Sequence, residues 1–374
     1  MDYIRSSPLP LNNSRHQRLI LMKHFAVLST SLSLVLAAHS PLASSANSAM
    51  ATQKTRAVVL VTGGALRTPF TTPTQACKDG DGFLAAGSTY TALRKFLLER
   101  GKQVYTAPTM DEWGPVQEPA RDDIGPFSGC PNQLPESMTI TSTGDWNAGG
   151  ERLARFLGYL RTNYGVTDVD LVGHSNGGPW SRAAIKVLKD TNSPITVRSL
   201  TTISSPYSGA TPPRFYAGEI NIAACAGNAY CEQSVKGWVD LVNSVDKGLS
   251  AQNTVKFTSG PKGWNAAQGS ALKGIPVTLL AGTYFQAQGG APTLWPYDGT
   301  VPRHSAWAQD VPSEIIPWRA CWSGPVVHWI GQSILLGIPL DRAITNNPEA
   351  MARVNQAIDQ ADTALRSPSG QGCP

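Results

Sequence analysis

The 374-residue sequence is poor in charge: only 15% of it is Asp, Glu, Lys or Arg, and the formal net charge at pH 7 is +5. It contains no long run of lysine and arginine. A nucleic-acid partner needs a dense basic surface, so none is expected. The other side of the composition argues against disorder, because 41% hydrophobic residues suffice for a large core. Long apolar runs are lacking too. The longest, Phe25 to Ala38, has about fourteen residues, short of the roughly 20 that span a bilayer. Histidine is scarce, six in all, and none of the six cysteines shows C-x-x-C spacing. No metal and no cofactor are therefore expected.

Around the apolar run, the sequence has the layout of an export signal. Arg15, His16, Arg18 and Lys23 form a basic flank, small residues follow the run, and Ala49-Met50-Ala51 fits a small-x-small cleavage site. Met22 is a candidate start. Residues 1–51 are read as a signal peptide with its preceding extension, with a membrane anchor as the alternative, and 52–374 as one secreted domain. All six cysteines lie beyond residue 51, as disulfides in an exported protein would require. Sequential pairing is expected: Cys77–Cys130, Cys225–Cys231 and Cys321–Cys373.

Along the mature chain, apolar β-branched runs alternate with helical periodicities. Strands are expected at 57–62, 103–106, 169–172, 197–203 and 275–281, with a last one near 315–321. A helix with Ser88 as N-cap and Tyr90, Leu93, Phe96 and Leu97 on its apolar face ends at Gly101. A second carries Leu153, Phe156, Leu157, Leu160 and Tyr164. A C-terminal helix starts at Asn347-Pro348 and buries Met351, Val354, Ile358 and Leu365. Residues 107–145 read as loop. This alternation implies an α/β class with a mostly parallel central sheet and helices on both faces. Residues 210–270, with Cys225, Cys231 and an amphipathic stretch at 238–249, break the rhythm and read as a lid-like insertion.

The chemistry concentrates at Gly173-His174-Ser175-Asn176-Gly177. A serine flanked at two positions by glycine, after an apolar strand and before a helix, fits a nucleophile elbow. Side chains at the glycine positions would collide with the neighbouring strand and helix. The bland alternative is a strand-to-helix turn with a capping serine. A hydroxyl attacks only if a base takes its proton, normally a histidine oriented by a carboxylate. His16, His24 and His39 belong to the signal region, and the turn should aim His174 away from the hydroxyl. His328 and His304 remain, and the late position of His328 favours it. Asp298, in Tyr-Asp-Gly-Thr-Val-Pro, is the favoured carboxylate; Asp310 and an ordinary Asp-Gly turn are the alternatives. An oxyanion would meet the backbone N–H of Asn176 and one from Thr62-Gly63-Gly64-Ala65, with Gly64 preferred and Ala65 next.

Together, these residues resemble the secreted bacterial lipase and esterase branch of the α/β-hydrolase superfamily. Gly173-His-Ser-Asn-Gly-Gly178 resembles the Gly-His-Ser-x-Gly-Gly elbow, Ile203-Ser-Ser-Pro-Tyr-Ser-Gly209 the segment before the lid, and Asp298-Gly-x-Val the acid loop. Thr62-Gly63 departs from the His-Gly usual after the first strand. The resemblance implies an α/β-hydrolase fold, a Ser-Asp-His triad, an ester or lipid substrate, transient contact with a lipid interface, and no stable protein partner. A polyesterase, an acyltransferase, a peptidase or a non-catalytic binding protein would share the same fold.

Overall fold

Strand β1, Thr55–Val61, is apolar on both sides, so it belongs inside a sheet covered on both faces. In the computed structural model it does so: Val58 and Leu60 join one buried cluster, Val59 and Val61 the other. The structure describes residues 55–77, 85–110, 134–245, 248–364 and 372–373. The expected signal segment and Cys130 lie outside the described residues. Ala51–Pro374 forms one compact unit.

Helix α1, Gly87–Leu98, buries Tyr90, Leu93 and Leu97. Ser88 is not its cap: Ala86 occupies that place, and its N–H is taken by the Thr91 hydroxyl, which donates onward to the Gly87 carbonyl. Strand β2, Val104–Thr106, follows. The stretch expected as loop contains two short strands, β3 (Thr109–Met110) and β4 (Ile140–Thr141), paired in parallel. Helix α2, Trp146–Tyr164, is capped by Asp145, whose carboxylate accepts from the Asn147 and Ala148 N–H groups. Then come β5 (Val166–His174), α3 (Gly177–Asp190) and β6 (Thr196–Ile203).

Between β6 and β7 (Val277–Gly282) the chain makes α4 (Thr211–Tyr216), α5 (Ala229–Val245), α6 (Leu249–Gln252), α7 (Val255–Thr258) and α8 (Trp264–Ala267). The disulfide Cys225–Cys231 ties the turn before α5, and both sulfurs are buried with Phe285, Trp295 and Tyr297. A short helix α9, Arg303–Ala306, precedes β8. Strand β8 is Arg319–Gly324, several residues later than expected. Pro312 and Pro317 have no N–H for a ladder, so pairing starts only beyond them. Helices α10 (Ile330–Leu336) and α11 (Pro348–Ala364) complete the chain, and the Asn347 side chain accepts from the Ala350 N–H, the capping role expected of it. Cys321 on β8 is bonded to Cys373. Cys77 is also disulfide-bonded.

The six main strands are ordered β2-β1-β5-β6-β7-β8, all parallel. One face packs on α1 and α11, the other on α2 and α3. The order reverses between β1 and β5. At such a switch point the loops leave the strand ends in opposite directions and open a crevice. Its two walls here begin at Thr62-Gly63-Gly64 and at Ser175.

Candidate active site

Ser175 joins β5 directly to α3. Its φ of 52° lies in the left-handed region, a conformation that costs a non-glycine residue about 1–2 kcal/mol. Neighbours hold it there: the Ser175 N–H donates to the Ile203 carbonyl at 2.8 Å, and the Ser175 carbonyl accepts from Gly178 N–H at 3.1 Å. The glycines are steric requirements. A Cβ on Gly173 would lie 2.5 Å from the Gly177 carbonyl carbon and oxygen, and one on Gly177 would lie 2.0 Å from the Val61 carbonyl oxygen. Helix α3 therefore reaches the end of β1 only because both positions are bare.

Asp298 and His328 come from the two loops that follow β7 and β8. Asp298 is fully buried, and His328 is 5% exposed. The Asp298 carboxylate splits its work between its oxygens. Oδ1 accepts from the Thr300 and Val301 N–H groups at 2.9 and 2.7 Å, closing an Asx turn. Oδ2 lies 2.7 Å from His328 Nδ1. The turn residue and the histidine's carboxylate are thus one and the same residue. The backbone adds a second tie, since the His328 N–H donates to the Asp298 carbonyl at 3.0 Å. Gln332 on α10 completes the frame: its Oε1 accepts from the His328 N–H at 2.7 Å, and its Nε2 donates to Thr300 Oγ1 at 3.2 Å.

Ser175 and His328 line one cavity of about 360 Å³, together with Asn176 and Gly64. Most of its remaining wall is apolar, from Leu66, Pro206, Pro213, Trp238, Leu249 and Trp329, with Asn253 and Thr300 as polar members. His304 and Asp310 do not line it; they pair with each other at 2.8 Å. Among the described residues, the Asn176 and Gly64 N–H groups have no hydrogen-bond acceptor. The Ala65 N–H, the alternative donor, is occupied by the Ser142 carbonyl at 3.0 Å. A larger cavity of about 510 Å³ lies between β8 and α11, away from all of these residues.

His174 has a structural task of its own. Its Nε2 is 2.9 Å from the His328 carbonyl, so Nε2 carries the proton and donates. Its ring lies against the His328 ring, with centroids 4.6 Å apart. Burial, and next the neighbouring His328, push the His174 pKa well below the ordinary histidine value. Sequence reasoning also passed over Gln332 and the insertion's polar contacts. Gln332 had a readable signal, a glutamine at the third position of a helix reaching back past its start, as in a capping box. The Gln252 side chain accepts from the Trp146 N–H at 2.6 Å, and Asn253 Nδ2 donates to Asn176 Oδ1 at 3.0 Å. These buried bonds pin α6 against the elbow, so residues 248–253 are a fixed part of the cavity wall. Nothing short-range in the sequence marks them. No group of three or more metal-ligating side chains occurs among the described residues, and no described helix is long and apolar enough to cross a membrane.

The family described as alpha/beta hydrolase of unknown function (DUF915) matches residues 143–251. No curated protein matches the sequence. Among solved structures, the chain is similar to the Bacillus licheniformis lipase BlEst2 in its propeptide form, at 16% identity and a TM-score of 0.41, over 74% of this chain and 47% of that one. It thus spans about half the length of that lipase. A Thermogutta terrifontis thermophilic esterase aligns at 13% identity and TM-score 0.40, over 83% and 92% of the two chains. The lin2722 gene product of Listeria innocua aligns at 14% identity and 0.38, over 81% and 94%. The family match falls on the stretch that carries α2, β5, the elbow and α3, and with the parallel sheet built around that stretch, the chain has the α/β-hydrolase fold.

Proposed function

We propose that this chain hydrolyses carboxylic esters through Ser175, His328 and Asp298 and a covalent acyl-enzyme. The observation that carries the reading is the buried Asp298–His328 contact of 2.7 Å, with His328 and Ser175 lining the same apolar cavity. Asp298 holds the proton on His328 Nδ1, which leaves Nε2 as the base. Ser175 Oγ adds to the ester carbonyl carbon as its proton passes to Nε2. The oxyanion meets the Asn176 and Gly64 N–H groups, each worth about 10²–10³ in rate by analogy with other such donors. The intermediate expels the alcohol, which takes the proton from His328. Water then repeats the sequence on the acyl-enzyme and frees the acid.

The apolar wall supports esters with an apolar acyl or alkyl group, as in a lipase or esterase. Each methylene removed from water contributes about 0.8 kcal/mol. Residues 210–270 act as the cover: they supply Ala210, Pro213, Trp238, Leu249 and Asn253 to the cavity. The chain is exported, with residues 1–51 removed. The disulfides Cys225–Cys231 and Cys321–Cys373 support an oxidising destination.

The test is labelling of the mature protein with a serine-reactive fluorophosphonate, beside hydrolysis of p-nitrophenyl esters of increasing chain length and of emulsified triacylglycerol. Labelling and hydrolysis abolished by Ser175→Ala are expected. A wild-type protein that takes no label, or a Ser175→Ala protein that still does, overturns the reading.

A further inference from the structure

The side chain of Asn176 is as firmly fixed as its backbone. Its Oδ1 accepts from Trp146 Nε1–H at 2.8 Å and from Asn253 Nδ2–H at 3.0 Å. An indole N–H can only donate, so the atom it meets is the amide oxygen. Asn253 is oriented independently, because its Nδ2 also donates to the Leu249 carbonyl at 2.7 Å. Which end of the Asn176 carboxamide is nitrogen is therefore determined. That Nδ2 has no hydrogen-bond acceptor among the described residues, although Asn176 is only 6% exposed.

The position of Nδ2 follows from the glycines opposite. A Cβ on Gly63 would stand 2.5 Å from Ser175 Cβ, and a Cβ on Gly64 would stand 2.8 Å from Asn176 Nδ2. The Gly63-Gly64 backbone thus runs alongside Ser175-Asn176, residue against residue. Nδ2 thus lies between Gly64 and Asn176, the two residues whose backbone N–H groups have no acceptor among the described residues. Gly64 is bare because a side chain there would displace the carboxamide or Leu249, whose Cδ2 is also 2.8 Å from that Cβ position.

We propose that Asn176 Nδ2 is a third donor of the oxyanion hole, so that Asn176 is a catalytic residue through its side chain as well as its backbone. This rests on the esterase reading. As Ser175 Oγ bonds to the carbonyl carbon, the carbonyl π pair moves onto oxygen, and Nδ2–H donates to it alongside the two backbone groups. Collapse returns the pair as the alcohol leaves. A carboxamide already clamped through its oxygen needs no reorganisation while that charge develops. Trp146 and Asn253 are then positioning residues, and the insertion takes part in setting the donor.

The experiment compares wild type with Asn176→Ala and with Asn176→Leu, which keeps the side-chain volume. kcat for p-nitrophenyl butyrate should fall about 10²-fold with KM little changed. Affinity for an alkyl trifluoromethyl ketone, whose adduct with Ser175 carries the oxyanion, should fall by a similar factor. Asn253→Ala, which loosens the clamp and keeps Nδ2, should lose less activity than either. If a folded variant, judged by circular dichroism, keeps wild-type kcat, the proposal is wrong. It is equally wrong if the ketone's affinity is unmoved while thermal stability falls, since the carboxamide would then be only a brace. Fluorophosphonate labelling of wild type, run in parallel, separates the two readings: no label defeats the esterase reading itself, whereas label with intact kcat in the variants defeats only this proposal.

Discussion

Replacing Asp298 by asparagine should destroy activity and leave the fold standing, and the geometry says why. Oδ1 of Asp298 receives two backbone N–H groups, from Thr300 and Val301 at 2.9 and 2.7 Å. An amide can satisfy both only with its oxygen, so the new side chain has to present its NH2 to His328 Nδ1 across the remaining 2.7 Å contact. That nitrogen must then accept, which moves the histidine's proton to Nε2, the atom that should take the proton from Ser175. A wrong tautomer of this kind costs about 10⁴ in kcat, or about 5 kcal/mol of transition-state stabilisation. Stability should drop far less, by about 1–2 kcal/mol, because the Asx turn survives and one charge-assisted bond becomes a neutral one. The assay is kcat on p-nitrophenyl butyrate beside a thermal melt. His304→Asn and Asp310→Asn serve as controls, since that pair lies off the cavity, and both should retain wild-type activity. An Asp298→Asn protein that keeps activity within about tenfold of wild type would refute the assignment of the acid. Full loss in Asp310→Asn would move the assignment there.

Gly177→Ala should be the more damaging of two glycine substitutions, since its Cβ would meet the Val61 carbonyl at 2.0 Å, and overpacking of this sort costs about 1–3 kcal/mol or more; a lowered melting temperature with slowed fluorophosphonate labelling is the expected reading. Gly158→Ala, within α2 and with open space around its Cβ, should instead raise stability by about 0.5–1 kcal/mol through helix propensity, measured by urea denaturation. His174 sets a pH dependence. Burial first, then the His328 charge, keep it unprotonated in the fold at pH values where the unfolded chain takes up a proton. The unfolded state then binds more protons, so stability falls on acidification. The contribution is complete above the ordinary histidine value of about 6.5 and is lost as pH drops toward the lower folded value, at up to about 1.4 kcal/mol per pH unit. Denaturant titrations between pH 7 and 5 should show this slope, and His174→Asn should flatten it; an unchanged slope in the variant would contradict the account.

What could be read in advance and what could not divide along a physical line. The elbow was legible because its requirements are local: two positions where a Cβ would strike Gly177 and Val61, between an apolar run and a helix. Scarcity of histidine narrowed the choice of base without any structure. The parallel sheet followed from apolar runs such as β1, which carry no polar face to expose. Boundaries failed where one backbone bond decides them. The start of β8 depends on where proline stops removing donors, and the start of α1 on the Thr91 hydroxyl reaching back to Ala86. Ala65 ranked next to Gly64 as a donor, and what separates them is a long-range bond, the Ser142 carbonyl that occupies the Ala65 N–H. The cavity wall failed for a different reason. Trp238, Leu249 and Asn253 line the same cavity as Asn176 from some sixty to eighty positions further along the chain, and no spacing rule spans such a distance.

Asp298 shows that competing readings of one residue need not exclude each other. Asp-Gly-Thr-Val has the composition of a plain turn, and the same four residues resemble an acid loop. The geometry accommodates both descriptions because a carboxylate has two oxygens. Oδ1 makes the turn and thereby fixes the side-chain torsion; only with that torsion fixed does Oδ2 meet His328 Nδ1 at 2.7 Å. The turn-forming bonds are therefore part of the positioning of the histidine, and so is the Gln332 bridge from His328 back to Thr300. The same division of labour recurs at Asn176, whose carboxamide oxygen is held by Trp146 and Asn253 and whose nitrogen is left over. In each case, one end of a planar polar group is spent on structure, and this leaves the other end oriented for chemistry without a further conformational cost.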